Sequence, residues 1–374
     1  MNNKKRIVVS GINLFEGGPL SIYYDFLDSL IKSGIIEAYD VVAFVHKKTL
    51  FEQYFNTPIH FIELPKSRKS YFRRLYYEYF YFRKYSKKNK VDVWFSLHDI
   101  TPNVIAKKIY TYCHNPSPFR KLTRLDFKTG IKNVLFPLFY KWVYRINIKK
   151  TSIIVQQEWM RKQFLEKYKL KKVIVCLPNY SFDKILKPQN DFHNKECKCF
   201  FYPAFPRSFK NYEVLCEAAK SLVKRGFDNF KILLTLNGQE NKYSRLVYNK
   251  YKGIQNIIWL GRISRSDVFD YYNKTDCLVF PSFVETWGLP VSEFKQTGKG
   301  ILLANAPYAR ETIGEYKNVS FFDPKSPSQL AYLMSEVING SIIYQGNSEI
   351  EYEQPFMRDW QELIEYIIHE NSYD

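Results

Sequence analysis

Short apolar runs alternate with longer amphipathic ones through the first half of the chain. Arg6–Ser10 reads as a strand, 11–18 as a loop, and 19–32 as a helix with Pro19 in its first turn, where the missing N–H is tolerated. Further runs rich in Val, Ile and aromatics, at 40–46, 91–96, 108–113 and 152–156, read as strands separated by helical stretches. Strand–helix alternation predicts a parallel sheet covered on both faces. The pattern breaks over 177–198, where Pro178, Pro188 and several Asn read as a linker. It then restarts, with strands at 199–202, 231–236, 257–260, 277–281, 301–304 and 319–322 and helices at 212–225 and 242–252. In the last segment, 355–370, Phe356, Trp360, Leu363, Ile364 and Ile367 recur at helical spacing. The expected organisation is two α/β domains, 1–184 and 185–354, followed by a closing helix in 355–374.

Composition supports a folded two-domain chain. At 374 residues, 45% hydrophobic and 25% charged, it exceeds what one core usually holds and is too apolar for wholesale disorder. No apolar run approaches the roughly 20 residues that a membrane span needs, and the first ten residues lack a signal-peptide core, so a cytoplasmic location is expected. The six cysteines, at 113, 176, 197, 199, 216 and 277, form no metal-binding or disulfide pattern and read as reduced, mostly buried thiols.

Charge changes the picture. The net charge is +19, and the stretches 66–90 and 119–150 together carry +17 of it. Both are also crowded with Tyr, Phe and Trp, and both read as helices of the first domain. Basic helices studded with aromatics suit the headgroup region of an anionic bilayer, where Lys and Arg meet phosphates and rings sit at the apolar boundary. A solvated basic face with its aromatics in the core is the plainer reading. Nucleic acid is a weaker candidate partner, because no recognised nucleic-acid-binding signature accompanies the charge.

The string with the most chemical content is Phe280-Pro-Ser-Phe-Val-Glu285-Thr-Trp-Gly288-Leu-Pro-Val-Ser-Glu293, at the end of a strand. Gly288, Leu289 and Pro290 open a helix whose free amides could seat a diphosphate, while Glu285 and Glu293 could accept hydrogen bonds from sugar hydroxyls. A second string, Tyr202-Pro-Ala-Phe-Pro-Arg207-Ser-Phe-Lys210, places two cations before a helix N-terminus, an end that disfavours positive charge. No group of residues has metal-ligand spacing, and no P-loop, GxSxG or GxGxxG string is present.

The Pro-Ser-x-x-Glu-x-x-Gly-Leu-Pro-x-x-Glu string resembles that of the retaining glycosyltransferases of family four, which belong to glycosyl transferases group 1 and have the GT-B fold. The resemblance implies two Rossmann-like domains facing each other across a cleft and a C-terminal helix crossing back to the first domain. It implies that Glu293 holds the nucleotide ribose and that Glu285 faces the transferred sugar. It further implies that Gly288 and Leu289 contact the donor, and that Arg207 and Lys210 neutralise its diphosphate. The chain departs from the usual form of the last motif: Pro206 precedes Arg207 where a Gly is common, and the Arg-to-Lys interval is short, so the role of each cation is less firmly carried over. Gly17 and Gly18 match a Gly-rich loop against the donor phosphates, although a Gly pair is also an ordinary strand-to-helix turn. His114 matches a histidine near the transferred sugar. His98 and Asp99 are weaker candidates for lining the acceptor site.

Taken together, these readings predict a retaining, metal-independent hexosyltransferase with no cofactor. A nucleotide diphosphate sugar is the expected donor. The expected acceptor is a hydroxyl of a glycan, lipid-linked, in bacterial surface polysaccharide or O-antigen assembly. The expected partners are the donor, that acceptor and an anionic membrane surface, with no nucleic acid, and the expected position is peripheral on the inner face of the cell membrane. The alternatives are another GT-B enzyme such as a sugar-nucleotide epimerase, or a basic protein that binds polyanions or nucleic acid.

Overall fold

A computed structural model describes residues 4–178 and 197–370. Most of the linker expected at 177–198, and the boundary near 185, lie outside the described residues. The chain forms two compact units. The first comprises Met1–Phe119, Leu138–Tyr180 and Tyr352–Asp374, and the second comprises Arg120–Pro137 and Ser181–Glu351.

The first unit is built on strands β1 (Arg6–Ser10), β2 (Asp40–Val45), β3 (Ile59–Glu63), β4 (Val91–Ser96), β5 (Ala106–Cys113), β6 (Ser152–Val155) and β7 (Val173–Cys176). The second uses β8 (Lys198–Tyr202), β9 (Phe230–Leu234), β10 (Ile257–Trp259), β11 (Cys277–Phe280), β12 (Gly300–Ala304) and β13 (Val319–Phe322); β14 (Phe356–Met357) returns to the first. The sheet orders are β14-β7-β6-β5-β4-β1-β2-β3 and β10-β9-β8-β11-β12-β13, with neighbouring strands parallel. Strand order reverses at β1 in one sheet and at β8 in the other. Loops leaving the carboxyl ends of strands at such a point are where doubly wound sheets bind ligands.

β1, with burial on both faces, is a run of Ile-Val-Val, as parallel central strands require. Gly11 follows it because space is lacking: a Cβ there would stand 2.5 Å from the Tyr23 ring, whose hydroxyl bonds the carbonyls of Val9 and Phe44. The first core gathers Phe26, Phe95 and Tyr112 with Trp360, Leu363, Ile364 and Ile367 from the closing helix Trp360–Glu370. That helix starts later than the pattern at 355–370 suggests, since Phe356 belongs to β14, paired with β7.

Two expectations need correction. Residues 1–184 are not all first-domain, because Arg120–Pro137 groups with the second unit. Nor is 119–150 one basic helix. It breaks into Arg124–Thr129 and Ile131–Val143 at Gly130, which has φ 143°, and Asp126 ties the first piece to Ser208.

Candidate active site

In the second unit, the loops after β8 and β11 bring together most of the residues singled out by sequence. Lys210 ends the turn Ser208–Lys210 and donates from Nζ to Glu285 Oε1 at 2.5 Å, both side chains being largely buried. The turn is anchored by the Tyr202 hydroxyl on the Lys210 carbonyl and by Asn211, whose amide reaches the carbonyls of Pro281 and Pro324. Partial desolvation pulls the Arg207 guanidinium below its ordinary pKa, and Glu285 opposes that shift. Glu285 therefore faces both cations. An ammonium has three N–H donors. One is on Glu285, which leaves the others able to meet phosphate oxygens without breaking the pair.

Gly288 caps the helix Leu289–Lys295 in a left-handed conformation, φ 98°, with no side-chain cap on the first amides. The helix is only seven residues long, so its dipole is weak and positive charge near these loops comes chiefly from Arg207 and Lys210. Glu293, one turn further on, is buried. Its Oε1 accepts from Arg265 Nη2, and its Oε2 accepts from the Tyr272 hydroxyl at 2.8 Å. Burial first and Glu293 second push the Tyr272 hydroxyl well above its usual pKa, so it remains a donor. Each carboxylate oxygen keeps a second lone pair for another hydroxyl. Arg265 and Tyr272 were not recognisable in the sequence. They lie in another helix, Arg265–Lys274, with no motif of their own.

The first unit holds the remaining candidates. Gly17, with φ 62°, and Gly18 are exposed at the start of the helix Gly17–Lys32, which begins two residues earlier than the pattern suggests and has no side-chain cap. His114 follows β5. Asp99, buried and left-handed at φ 69°, fixes it there: Oδ1 accepts from the amides of His114 (2.7 Å) and Asn115 (2.9 Å) and from the Tyr144 hydroxyl (2.9 Å). His114 Nε2 lies 3.5 Å from Asp99 Oδ2, and its Nδ1 is buried without a hydrogen-bond partner among the described residues. Burial, helped by His98 and Arg74, pulls the imidazole below its ordinary pKa of 6.5 against the opposing pull of Asp99. The ring is neutral near pH 7. His98 is closed into the core, between the Ser10 carbonyl and Glu78, so it supports the loop and does not line an open surface.

Each basic stretch buries some of its charged and aromatic residues and exposes others. In the continuous helical run through Tyr71–Tyr76, a π-helical turn Tyr77–Tyr81 and Phe82–Asn89, the buried positions include Arg74, Glu78 and Ser86. Arg74 donates to the Tyr140 hydroxyl and the His98 carbonyl, and Glu78 meets His98. The outward face carries Phe72, 84% exposed, Tyr76 and Phe80, 69% exposed, with the last two rings stacked. On Ile131–Val143, the residues Ile131, Leu135, Leu138 and Trp142 share one exposed helical face while Val134, Tyr140 and Val143 are buried.

Among the described residues, no group of three or more His, Cys, Asp or Glu could hold a metal ion, and no helix is long and apolar enough to cross a membrane.

Solved structures of known proteins share this architecture. A glycosyltransferase from Rickettsia africae ESF-5 superposes with a TM-score of 0.62 at 19% identity, covering 90% of this chain and 89% of that one. WaaG, a glycosyltransferase involved in lipopolysaccharide biosynthesis, gives 0.63 at 14% identity, covering 89% of this chain and 90% of its own. Anabaena Alr3699/HepE in complex with UDP-glucose gives 0.56 at 14% identity, with 90% of each chain covered. No curated protein matches the sequence. The profile of the family "Glycosyl transferases group 1" matches residues 182–352, which span nearly all of the second unit's longer segment, Ser181–Glu351. The segments bearing Arg207, Lys210, Glu285 and Glu293 all fall inside that match, and the chain has the two-domain GT-B fold of these solved glycosyltransferases.

Proposed function

We propose that the chain is a retaining, metal-independent hexosyltransferase. It moves a sugar from a nucleotide diphosphate sugar to a hydroxyl of a lipid-linked glycan in bacterial surface polysaccharide assembly, including O-antigen. The observation that carries the donor half is the convergence of Arg207, Lys210 and Glu285 at the switch point of the second sheet. Arg207 and Lys210 stabilise the charge that develops on the departing nucleotide diphosphate, the kind of preorganised interaction that lowers a barrier most. Lys210 at the same time orients Glu285 toward the transferred sugar. Glu293, held by Tyr272, takes the ribose hydroxyls, with Arg265 as its exchangeable partner. The resemblance assigns His114 to the neighbourhood of the sugar, where a neutral ring contributes a hydrogen bond and no charge. In the retaining mechanism implied by the resemblance, the leaving phosphate oxygen takes the acceptor proton, so no protein base is obligatory and positioning carries the rate.

The HepE structure with UDP-glucose supports a nucleotide sugar as donor, and WaaG supports a surface-glycan context. The lipid-linked acceptor and the peripheral membrane position are supported by the exposed apolar faces on the two basic stretches. The test is transfer from UDP-, GDP- or dTDP-sugars to a glycolipid extract. Lys210→Ala should lower turnover by about 100-fold or more, and excess EDTA should leave the rate of the parent unchanged. Activity that is lost in EDTA and restored by Mg²⁺ would refute metal independence. A freed, altered sugar nucleotide in the absence of acceptor would point to an epimerase.

A further inference from the structure

The short helix Arg124–Thr129 opens with a reciprocal capping box between Thr123 and Asp126. Asp126 is fully buried. Its Oδ2 accepts from the Thr123 amide at 2.7 Å, from the Thr123 hydroxyl at 2.9 Å and from Arg120 Nη1 at 2.9 Å. Capping accounts for that oxygen and leaves Oδ1 unexplained. Oδ1 accepts from the Ser208 hydroxyl. Burial raises the carboxyl pKa, but the bonds from Arg120, Ser208 and the Thr123 amide outweigh it and hold Asp126 below its ordinary value, ionised. Arg120 is itself nearly buried, and its guanidinium lies 5.8 Å from the centre of the Phe209 ring.

Ser208 and Phe209 lie between Arg207 and Lys210. We propose that Asp126 is a positioning residue that holds the turn carrying these two cations, which makes a segment from the N-terminal half of the chain part of the donor-phosphate site. The proposal rests on the donor reading given above. Arg and Lys side chains are long and flexible, so their aim depends on the backbone that bears them. Tyr202, Asn211 and the amide of Phe283 on the Phe209 carbonyl fix the turn from within the second unit's sheet and loops. Asp126 fixes it at Ser208, next to Arg207, through a buried charge-assisted bond that water does not readily replace. Capping alone requires neither Ser208 nor the grouping of Arg120–Pro137 with the second unit.

Ser208→Ala is the clean test, since it removes the Oδ1 contact and leaves the cap and the Arg120 pair in place. Titration calorimetry with UDP, GDP and dTDP, and with their nucleosides, supplies the readout. For the diphosphate that binds the parent, Ser208→Ala should weaken affinity about tenfold and lower the melting temperature modestly, while the nucleoside affinity stays put. Ser208→Thr, which keeps the hydroxyl, should restore binding. Asp126→Asn should act in the same direction with a lower melting temperature. Parental diphosphate affinity in Ser208→Ala, or equal losses for diphosphate and nucleoside, would overturn the positioning role. A parent that binds none of the three diphosphates would refute the donor reading itself, a distinct result.

Discussion

The helix Tyr212–Lys224 and the helical run from Tyr71 to Asn89 divide their charged and aromatic residues differently between core and surface. The former buries Val214, Leu215, Ala218, Ala219 and Leu222 and turns Lys220 and Lys224 outward. The latter keeps Arg74, Glu78 and Ser86 inside together with Phe82, and turns Phe72, Tyr76 and Phe80 outward. Water is the partner of the first helix's outer face. It is a poor partner for three aromatic rings in a row, and Arg73, Arg83 and Lys84 beside them add attraction for an anionic surface. This division also shows that one charged helix can serve two purposes at once. Its inner charges hold the loop that presents His114, while its outer rings stay exposed.

The largest effect should come from the inner face. Glu78→Ala leaves Arg74 buried without one of its opposite charges and His98 without its hydrogen-bond partner, and should cost about 3–5 kcal/mol in urea unfolding. If Glu78→Ala unfolds like the parent, the inner charges do not support the fold. Next, Leu215→Ala should cost about 2–5 kcal/mol, whereas replacing Phe72 and Phe80 by Ser should change stability by no more than about 0.5 kcal/mol per site. The same Phe72 and Phe80 variant should lose most sedimentation with anionic vesicles. Retention of vesicle binding would remove the contrast between the two helices. A smaller, salt-dependent loss should follow reversal of Arg73, Arg83 and Lys84 to Glu, while Arg74 must be left intact because it is buried. The smallest effect is a pH dependence at His114. Its folded pKa lies below its ordinary 6.5, so its contribution is fully present above 6.5 and falls away as pH drops through the folded value. His114→Asn should flatten the acid side of the stability profile, measured as melting temperature from pH 7 to 5. An unchanged slope would assign that dependence to another group.

The alternation of strands and helices was legible because central parallel strands such as β1, β8 and β11 are continuous apolar runs bounded by loops. β3 escaped notice because His60 and Glu63 interrupt it at the sheet's edge, and β14 because two residues carry no period. Glu285, Glu293, Arg207 and Lys210 were visible as local strings. Arg265, Tyr272 and Asp126 were not, since each acts on a residue distant in sequence and no spacing rule links them. The placement of Arg120–Pro137 was hidden for the same reason. Its basic, aromatic composition matched the first domain's helices, while a single carboxylate among five cations tied it elsewhere.

Both units are discontinuous along the chain, and this sets an order for biosynthesis. Every strand of the second sheet, and the Arg120–Pro137 segment that groups with it, has been synthesised by residue 351. The first unit still lacks β14 and the four side chains Trp360, Leu363, Ile364 and Ile367 that complete its core against Phe26 and Tyr112. Nascent domains usually mature from the N-terminus onward. Here the part begun first is finished last, and a chain that stops before residue 355 can close its second unit while its other core stays open.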